Sequence, residues 1–456
     1  MSKQEKSFCY DVVILGGGPA GTATALSLRK HAPSLSLALI EQSSYSTIRI
    51  GETLPPTVQP LLEQLGVWSA FLNEGHTPAY GTSAAWGSDK LWANEFIFHA
   101  VGHGWHLDRR RFDAMLARVA AKRGVTVYAN TKIISSSPYG KKKWQLTACD
   151  LNGDSISINA SFVVDATGRR AVFASQRNIR KIFLDQLLGV CIFFNLNRNA
   201  PVTETYTLVE ACDQGWWYSA LVPEERIAVC FMSDADIVKK NHLHSTAAWF
   251  ELLGETQHIK ARVQQAEPIS SPAVRASFSQ RLERMTGDAW LAVGDAATTF
   301  DPLSSQGIFK GLRSGIMASY AITDYFKGSS SGLEKYEAIT ASEFEAYLET
   351  RAAYYSQEQR FADSTFWQRR HNQITLAPKQ MLCSTEAARN RINIERLAMH
   401  LALPDLKLLC QICYAPRRAH EIVSEFKARR HFISDRRIIL ALQYLLSEGV
   451  VQAATV

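Results

Sequence analysis

Tyr10-Asp11-Val12-Val13-Ile14-Leu15-Gly16-Gly17-Gly18-Pro19-Ala20-Gly21 is the stretch whose reading decides the fold. Tyr10 to Leu15 carries two valines and an isoleucine and reads as a buried strand. The G-x-G-x-x-G of Gly16 to Gly21 follows at once. Thr22 to Lys30 is rich in Ala and Leu and reads as a helix, and a second apolar strand, Leu35 to Ile40, ends in Glu41. Strand, glycine loop, helix, strand and acid in this order form a dinucleotide-binding βαβ unit. Gly16 permits the tight turn, Gly18 lets the backbone approach a pyrophosphate, and Gly21 lets the helix lie close to the sheet. Pro19 and Ala20 complete the cradle, where free N–H groups at the helix start meet the phosphates. Glu41 is placed to accept hydrogen bonds from ribose hydroxyls, and its charge disfavours a 2′-phosphate. The motif stands at the N-terminus of a long chain, which favours FAD as resident cofactor over NAD.

The bulk numbers fit an enzyme of two or three domains. The chain has 456 residues and is 46% apolar, enough for a substantial core. A formal charge of +7 is modest for this length and argues against nucleic-acid binding driven by bulk charge. No apolar run is long enough to span a bilayer, and the polar start Met1 to Ser7 lacks a signal-peptide core. The expected location is the cytoplasm, with no membrane partner. Eight cysteines are scattered without the spacing of a disulfide framework. Cys410 and Cys413 form a C-x-x-C inside an apolar helical stretch, with no second pair to complete a zinc site. They read as buried thiols, and no metal is expected.

Further along, Gly51-Glu52-Thr53-Leu54-Pro55-Pro56 is a loop by its glycine and prolines. Asn152-Gly153 turns a hairpin, and Phe162 to Val164 runs into Asp165-Ala166-Thr167-Gly168. Between about 180 and 285, apolar β-type runs such as Leu187 to Phe194 and Arg226 to Met232 alternate with polar loops. Trp290 to Val293 is a short buried strand. Gly294-Asp295 follows it, and Asp301-Pro302-Leu303-Ser304-Ser305-Gln306-Gly307 opens a long helix. Residues 333 to 371 read as helix throughout. The expected fold is α/β: a Rossmann-type FAD-binding domain over 1–175 and 286–330, and a sheet-rich substrate domain inserted over 176–285. A long helical segment over 331–395 and a small winged-helix-like module over 396–456 complete it. In the tail, Leu406 to Cys413, Arg418 to Lys427 and Asp435 to Glu448 give three helices, and Gly449 to Ala453 starts a strand.

Gly16 to Gly21, Asp165 to Gly168, and Gly294-Asp295 with Pro302 and Gly307 together resemble the FAD-dependent monooxygenases of the aromatic hydroxylase type, flavin-dependent halogenases included. The resemblance covers roughly residues 8 to 372. It implies that Asp295 contacts the ribityl chain and that Pro302, Ser304, Gln306, Gly307 and Ile308 border the isoalloxazine. A helix start there stabilises negative charge on the reduced ring. Arg109 matches a family arginine near the cofactor. The halogenase-related branch is the more specific likeness, carried by Gly51 to Pro56, Gly215-Trp216-Trp217-Tyr218 and Phe366 to His371. On it, Glu52 is the candidate general acid, and Thr53, Trp216, Trp217, Tyr218 and Ser304 are the candidate substrate pocket.

Departures from that branch point to the chemistry. Tryptophan halogenases capture hypohalous acid on a lysine, but Tyr80 to Trp86 contains none, and the first lysine is Lys90. Their partner glutamate aligns with Ser304. Hydroxylation needs neither group, because the cofactor carries the oxygen. With the extra C-terminal module, the combination resembles the flavoprotein monooxygenases that hydroxylate a tryptophan within a protein to begin a tryptophylquinone cofactor. The expected partners are a tryptophan-containing protein or peptide, O2, and NAD(P)H or a flavin reductase as electron source. The alternatives are a small-molecule aromatic hydroxylase or halogenase, and a flavin-containing regulator that binds nucleic acid through its tail.

Overall fold

The computed structural model describes residues 6–47, 49–141, 143–196, 205–371, 376–385 and 400–454. The strand Lys6–Leu15 runs through the middle of an eight-stranded sheet, parallel to Leu37–Ile40 on one side and Ser155–Asp165 on the other. Val12 to Leu15 are all buried, on both faces of the sheet, so an unbroken apolar run is the stable pattern there. The Asn152-Gly153 turn joins Trp144–Cys149 to Ser155–Asp165 as an antiparallel pair.

Helix Pro19–His31 lies against the long helix Gly307–Phe326. Their contact is made by small residues. A Cβ on Gly315 would strike the Ala20 carbonyl, and Ser27 Oγ meets Ser319 Oγ at 2.7 Å. The two helix starts are thereby braced side by side above the ends of the central strands.

A second sheet holds Leu187–Leu196, Thr207–Cys212, Gly215–Val222 and Arg226–Asp234. Two strands from far upstream, Gly81–Ala85 and Trp92–Glu95, extend it. This corrects the expectation of a sheet confined to 176–285. Gly81–Ala85 is small and polar, and pairing with Thr207–Cys212 makes it a strand. Cys191 and Cys230 are direct cross-strand partners and are joined by a disulfide, a pair that the scattered spacing of the cysteines did not mark. Cys410 and Cys413 stay free and buried, and burial pushes their thiols up to about 11 and about 12. Among the described residues no cluster could hold a metal ion, and no helix is long and apolar enough to cross a membrane.

The helix expected over 333–371 is two helices, Ser331–Ser356 and Thr365–His371. The break falls where buried Glu358 turns inward: its Oε2 accepts from Gly87 N at 2.7 Å, and Arg360 pairs with it. The second helix is tied to the second sheet by Arg370, whose Nη2 donates to Asp234 Oδ1 at 2.8 Å, and by Arg369 to Asp234 and Asp236.

The C-terminal module has its own apolar core. Helices Leu403–Ile412, Ala419–Arg429 and Asp435–Ser447 pack over a three-stranded antiparallel sheet. The central strand of that sheet is Met381–Ser384, so the module begins upstream of residue 396, inside the stretch expected to be helical. Residues 372–375 and 386–399 lie outside the described residues.

Candidate active site

The nucleotide cradle is tight on one side and open on the other. Gly16 has φ +108°, and a Cβ there would strike the Ala166 carbonyl. A Cβ on Gly21 would strike the Gly16 carbonyl. Above Gly18 there is nothing within 4 Å, which leaves room for a pyrophosphate at the start of helix Pro19–His31. Glu41 is buried at the end of its strand. Its Oε2 accepts from Gly17 N (2.8 Å), and its Oε1 from Ser43 N (2.9 Å), Ser43 Oγ (2.6 Å) and Arg49 Nη2 (3.2 Å). Four donors fill the acceptor sites of a carboxylate, so a ribose hydroxyl would take over one of them.

Arg49 and Asp113 belong to the same cluster, and no motif marks either of them. Arg49 joins Glu41 to Asp113, and Arg109 grips Asp113 from the other side (Nη2 to Oδ2, 3.1 Å). Arg109 Nη1 also donates to Ile50 O at 3.0 Å and lies beneath Gly51, so it fixes the loop that carries Glu52.

At the other end of the cradle, Lys310 Nζ donates to Asp295 Oδ1 (2.9 Å) and to the Thr298 carbonyl, and Arg169 Nε stands 3.7 Å from Asp295 Oδ2. Burial pushes the Asp295 carboxyl up, but Lys310 and Arg169 override it and hold it below the usual range. An ionised Asp295 beside the Gly307 helix start suits ribityl hydroxyls. Pro302–Ser304 forms a 3-10 turn, and Gly307 opens the helix with nothing within 4 Å of its missing Cβ. Gln306 and Gly307 are exposed there, and Ile308 is buried beneath. Glycines with open faces at both ends, a carboxylate beside each, and two braced helix starts fit FAD.

Replacing Gly18 with valine fills that open face. Gly18 has φ −76° and ψ −175°, which a valine adopts readily. The flavin-free variant is expected to melt with the wild type, while its Kd for FAD rises about 10- to 100-fold, from roughly 1–3 kcal/mol of overpacking. Fluorescence titration of FAD with a parallel melting curve checks both halves.

The second sheet presents an aromatic face toward this cradle. Trp216, Tyr218, Val209 and the Cys191–Cys230 pair lie on it, with Tyr355, Phe366, Trp367 and Leu303 packed over it. Trp216 Nε1 donates to Tyr355 Oη (2.9 Å), and Tyr355 donates to Asp301 Oδ2 (2.8 Å) at the foot of the Pro302 turn. Glu52 is buried against this face, and Tyr218 Oη donates to its Oε2 at 2.9 Å. Glu52 Oε1 has no partner among the described residues. Burial pushes the Glu52 carboxyl up, against the Tyr218 hydrogen bond and the Arg109 charge. Thr53 Oγ1 lies 3.2 Å from Thr207 Oγ1, which also bonds His106 Nε2 at 2.9 Å. Burial drives His106 down to about 3, so its ring is neutral.

Two expected pocket residues lie elsewhere. Trp217 is 0% exposed on the opposite face of the sheet, packed on Phe231 and Trp249, because adjacent strand residues point to opposite sides. Ser304 closes its own turn by donating to Asp301 O at 2.9 Å. It lines a cavity of about 210 Å³ with Gln306, Lys310, Tyr347, Arg351 and Tyr354.

These features define a flavoprotein oxidoreductase on a Rossmann-type sheet. The chain belongs to the tryptophan halogenase family, whose model matches residues 11–96 and 89–425. LodB of Marinomonas mediterranea, described as an FAD-dependent oxidoreductase, is 31% identical over 364 residues, 79% of this chain and 97% of that protein. The 1H-pyrrole-2-carbonyl-[peptidyl-carrier protein] brominase of Pseudoalteromonas luteoviolacea is 27% identical over 329 residues, 70% of this chain and 79% of that one. Among solved structures, the myxobacterial chondrochloren halogenase CndH shares the fold at TM-score 0.74 and 21% identity, over 80% of this chain and 87% of that one. The flavin-dependent halogenase CmlS does so at TM-score 0.71 and 21% identity, over 94% and 77%. The chain is an FAD-dependent oxidoreductase of α/β architecture.

Proposed function

We propose that the protein uses FAD and O2 to hydroxylate an electron-rich aromatic ring, a tryptophan side chain carried by a polypeptide, as in tryptophylquinone formation. Electrons come from NAD(P)H or a flavin reductase. One observation carries this reading. The face beside the cradle is aromatic, its Tyr218 is bonded to the buried Glu52, and among the described residues it holds no lysine. Ala84 and its cross-strand partner Val209 line that face where the resemblance puts the halogenase lysine. Bound FAD supplies the activated oxygen. The chain's own residues hold the ring, exclude water and keep a proton at Glu52 Oε1.

The second reading is halogenation of a small aromatic, free or held on a carrier protein. The relatives favour it over hydroxylation: several are named halogenases, and two are named for a pyrrole on a peptidyl-carrier protein. The lack of a lysine on the aromatic face weighs the other way.

A single incubation separates the two. The FAD-loaded protein, a flavin reductase, NADH, O2 and bromide are mixed with a tryptophan-containing precursor polypeptide and with free indoles, and the products are weighed. Oxygen gained on the polypeptide without need of bromide supports the first reading. A bromine isotope pattern establishes the second, and oxygen on free indoles alone removes the polypeptide from the first.

A further inference from the structure

The strand Trp92–Glu95 ends the second sheet, and among the described residues no strand pairs with its outer side. Phe96 N donates to Tyr80 O at 2.8 Å, just beyond the strand. Antiparallel pairs alternate, so Asn94 and Trp92 turn their amides inward, and Ala93 and Glu95 turn theirs to the open edge. Folded proteins blunt such edges with lysine, proline or a cover. This strand contains neither residue, and all four of its residues are exposed. Around it Tyr80 (52%), Leu91 (42%), Trp92 (54%) and Ile97 (77%) leave apolar side chains in solvent. Such a patch marks an interaction surface.

The edge is continuous with the aromatic face. Trp92 pairs with Ala84, Ala84 with Val209, and Val209 with Tyr218, the residue that holds Glu52. Direct partners share a side of a sheet, so one row runs from an exposed tryptophan to the buried carboxyl.

We propose that the outer edge of Trp92–Glu95 docks an extended segment of the substrate polypeptide by strand addition. Only an extended backbone offers alternating donors and acceptors that match Ala93 and Glu95, and apolar side chains at every second position match Trp92 and its neighbours. The inference rests on the reading of a ring carried by a polypeptide. It also fixes a spacing. From an added strand to the strand of Tyr218 is four strand separations, about 19 Å, which roughly six extended residues span. The reacting ring therefore lies about six residues from the docked segment.

The test uses the FAD-loaded full chain and a displayed library of random peptides, each with one fixed tryptophan. Ala93→Pro removes an outward N–H and leaves the inner ladder intact, as edge prolines do. Ile97→Glu, which charges the patch without touching the backbone, is the second variant. Peptides enriched on the wild type are expected to bind at least tenfold more weakly to either variant, to lose binding when their β-prone stretch is N-methylated, and to carry tryptophan about six residues from that stretch. Equal binding to both variants, or no enriched peptide, overturns the proposal. So does a dimer that Ala93→Pro converts to monomer with peptide binding unchanged, since the edge then serves a second copy. Free-indole oxidation is expected to persist in both variants. A wild type that oxidises neither free indoles nor the peptides it binds would strike the oxidation reading, which the binding measurement does not depend on.

Discussion

Glu52→Gln is expected to lower turnover by about two to four powers of ten, the usual range for loss of a positioned general acid, while FAD binding stays as in the wild type. Glutamine keeps the shape and can still meet Tyr218 Oη, but it has no acidic proton to give from the position of Oε1. Burial holds the Glu52 carboxyl above its usual range, so the wild-type rate should fall on the alkaline side as that proton is lost. The rate of the glutamine variant should be flat there. Stability follows the same sign. A carboxyl whose folded pKa is raised favours folding below its unfolded value, near 4.5, and that contribution disappears as pH rises through the folded value. Single-turnover rates and melting curves over a pH series check both statements. An unchanged pH profile would remove Glu52 from the reaction.

Asp234→Ala is expected to cost about 3–5 kcal/mol, because it leaves the buried Arg370 guanidinium without its carboxylate. Arg370 also lies over the Phe366 ring at 3.5 Å and cannot swing out to water without unpacking the helix Thr365–His371. Burial pushes the Asp234 carboxyl up, yet Arg370 and Arg369 override it and hold it below the ordinary 3.8. A depressed carboxyl contributes stability that is complete above its unfolded pKa and lost as pH falls through the folded one. Urea unfolding should therefore show a wild-type loss at acid pH that the alanine variant lacks. Equal midpoints at neutral pH would mean that the pair contributes nothing.

The nucleotide half of the molecule was legible because its signals are local. Val12 to Leu15, the three glycines and Glu41 meet one another within one βαβ unit. The rest depends on partners far away in sequence. Trp216 and Trp217 are neighbours in a strand buried on both faces, so no alternation of polarity told which one faces the cradle. Cys191 and Cys230 meet through the register of two strands 39 residues apart. Gly81-Thr82-Ser83-Ala84-Ala85 has weak strand propensity, and its place in the sheet comes from Thr207–Cys212. The helix break after Ser356 lies among good helix formers and is imposed by Glu358 turning toward Gly87. Lys310 reads as an ordinary helix residue until the fold sets it on Asp295.

The close crossing of Pro19–His31 on Gly307–Phe326 acts as a gauge block. One helix start would meet the phosphate end of FAD and the other its ring end, so the distance between their tips would set how long a ligand can lie stretched across both. Ala20 and Gly315 fix that distance with backbone and methyl groups, which have no rotamers to yield. A larger side chain at either position would lengthen the span itself, so ring and pyrophosphate could no longer seat together even with every polar contact still present.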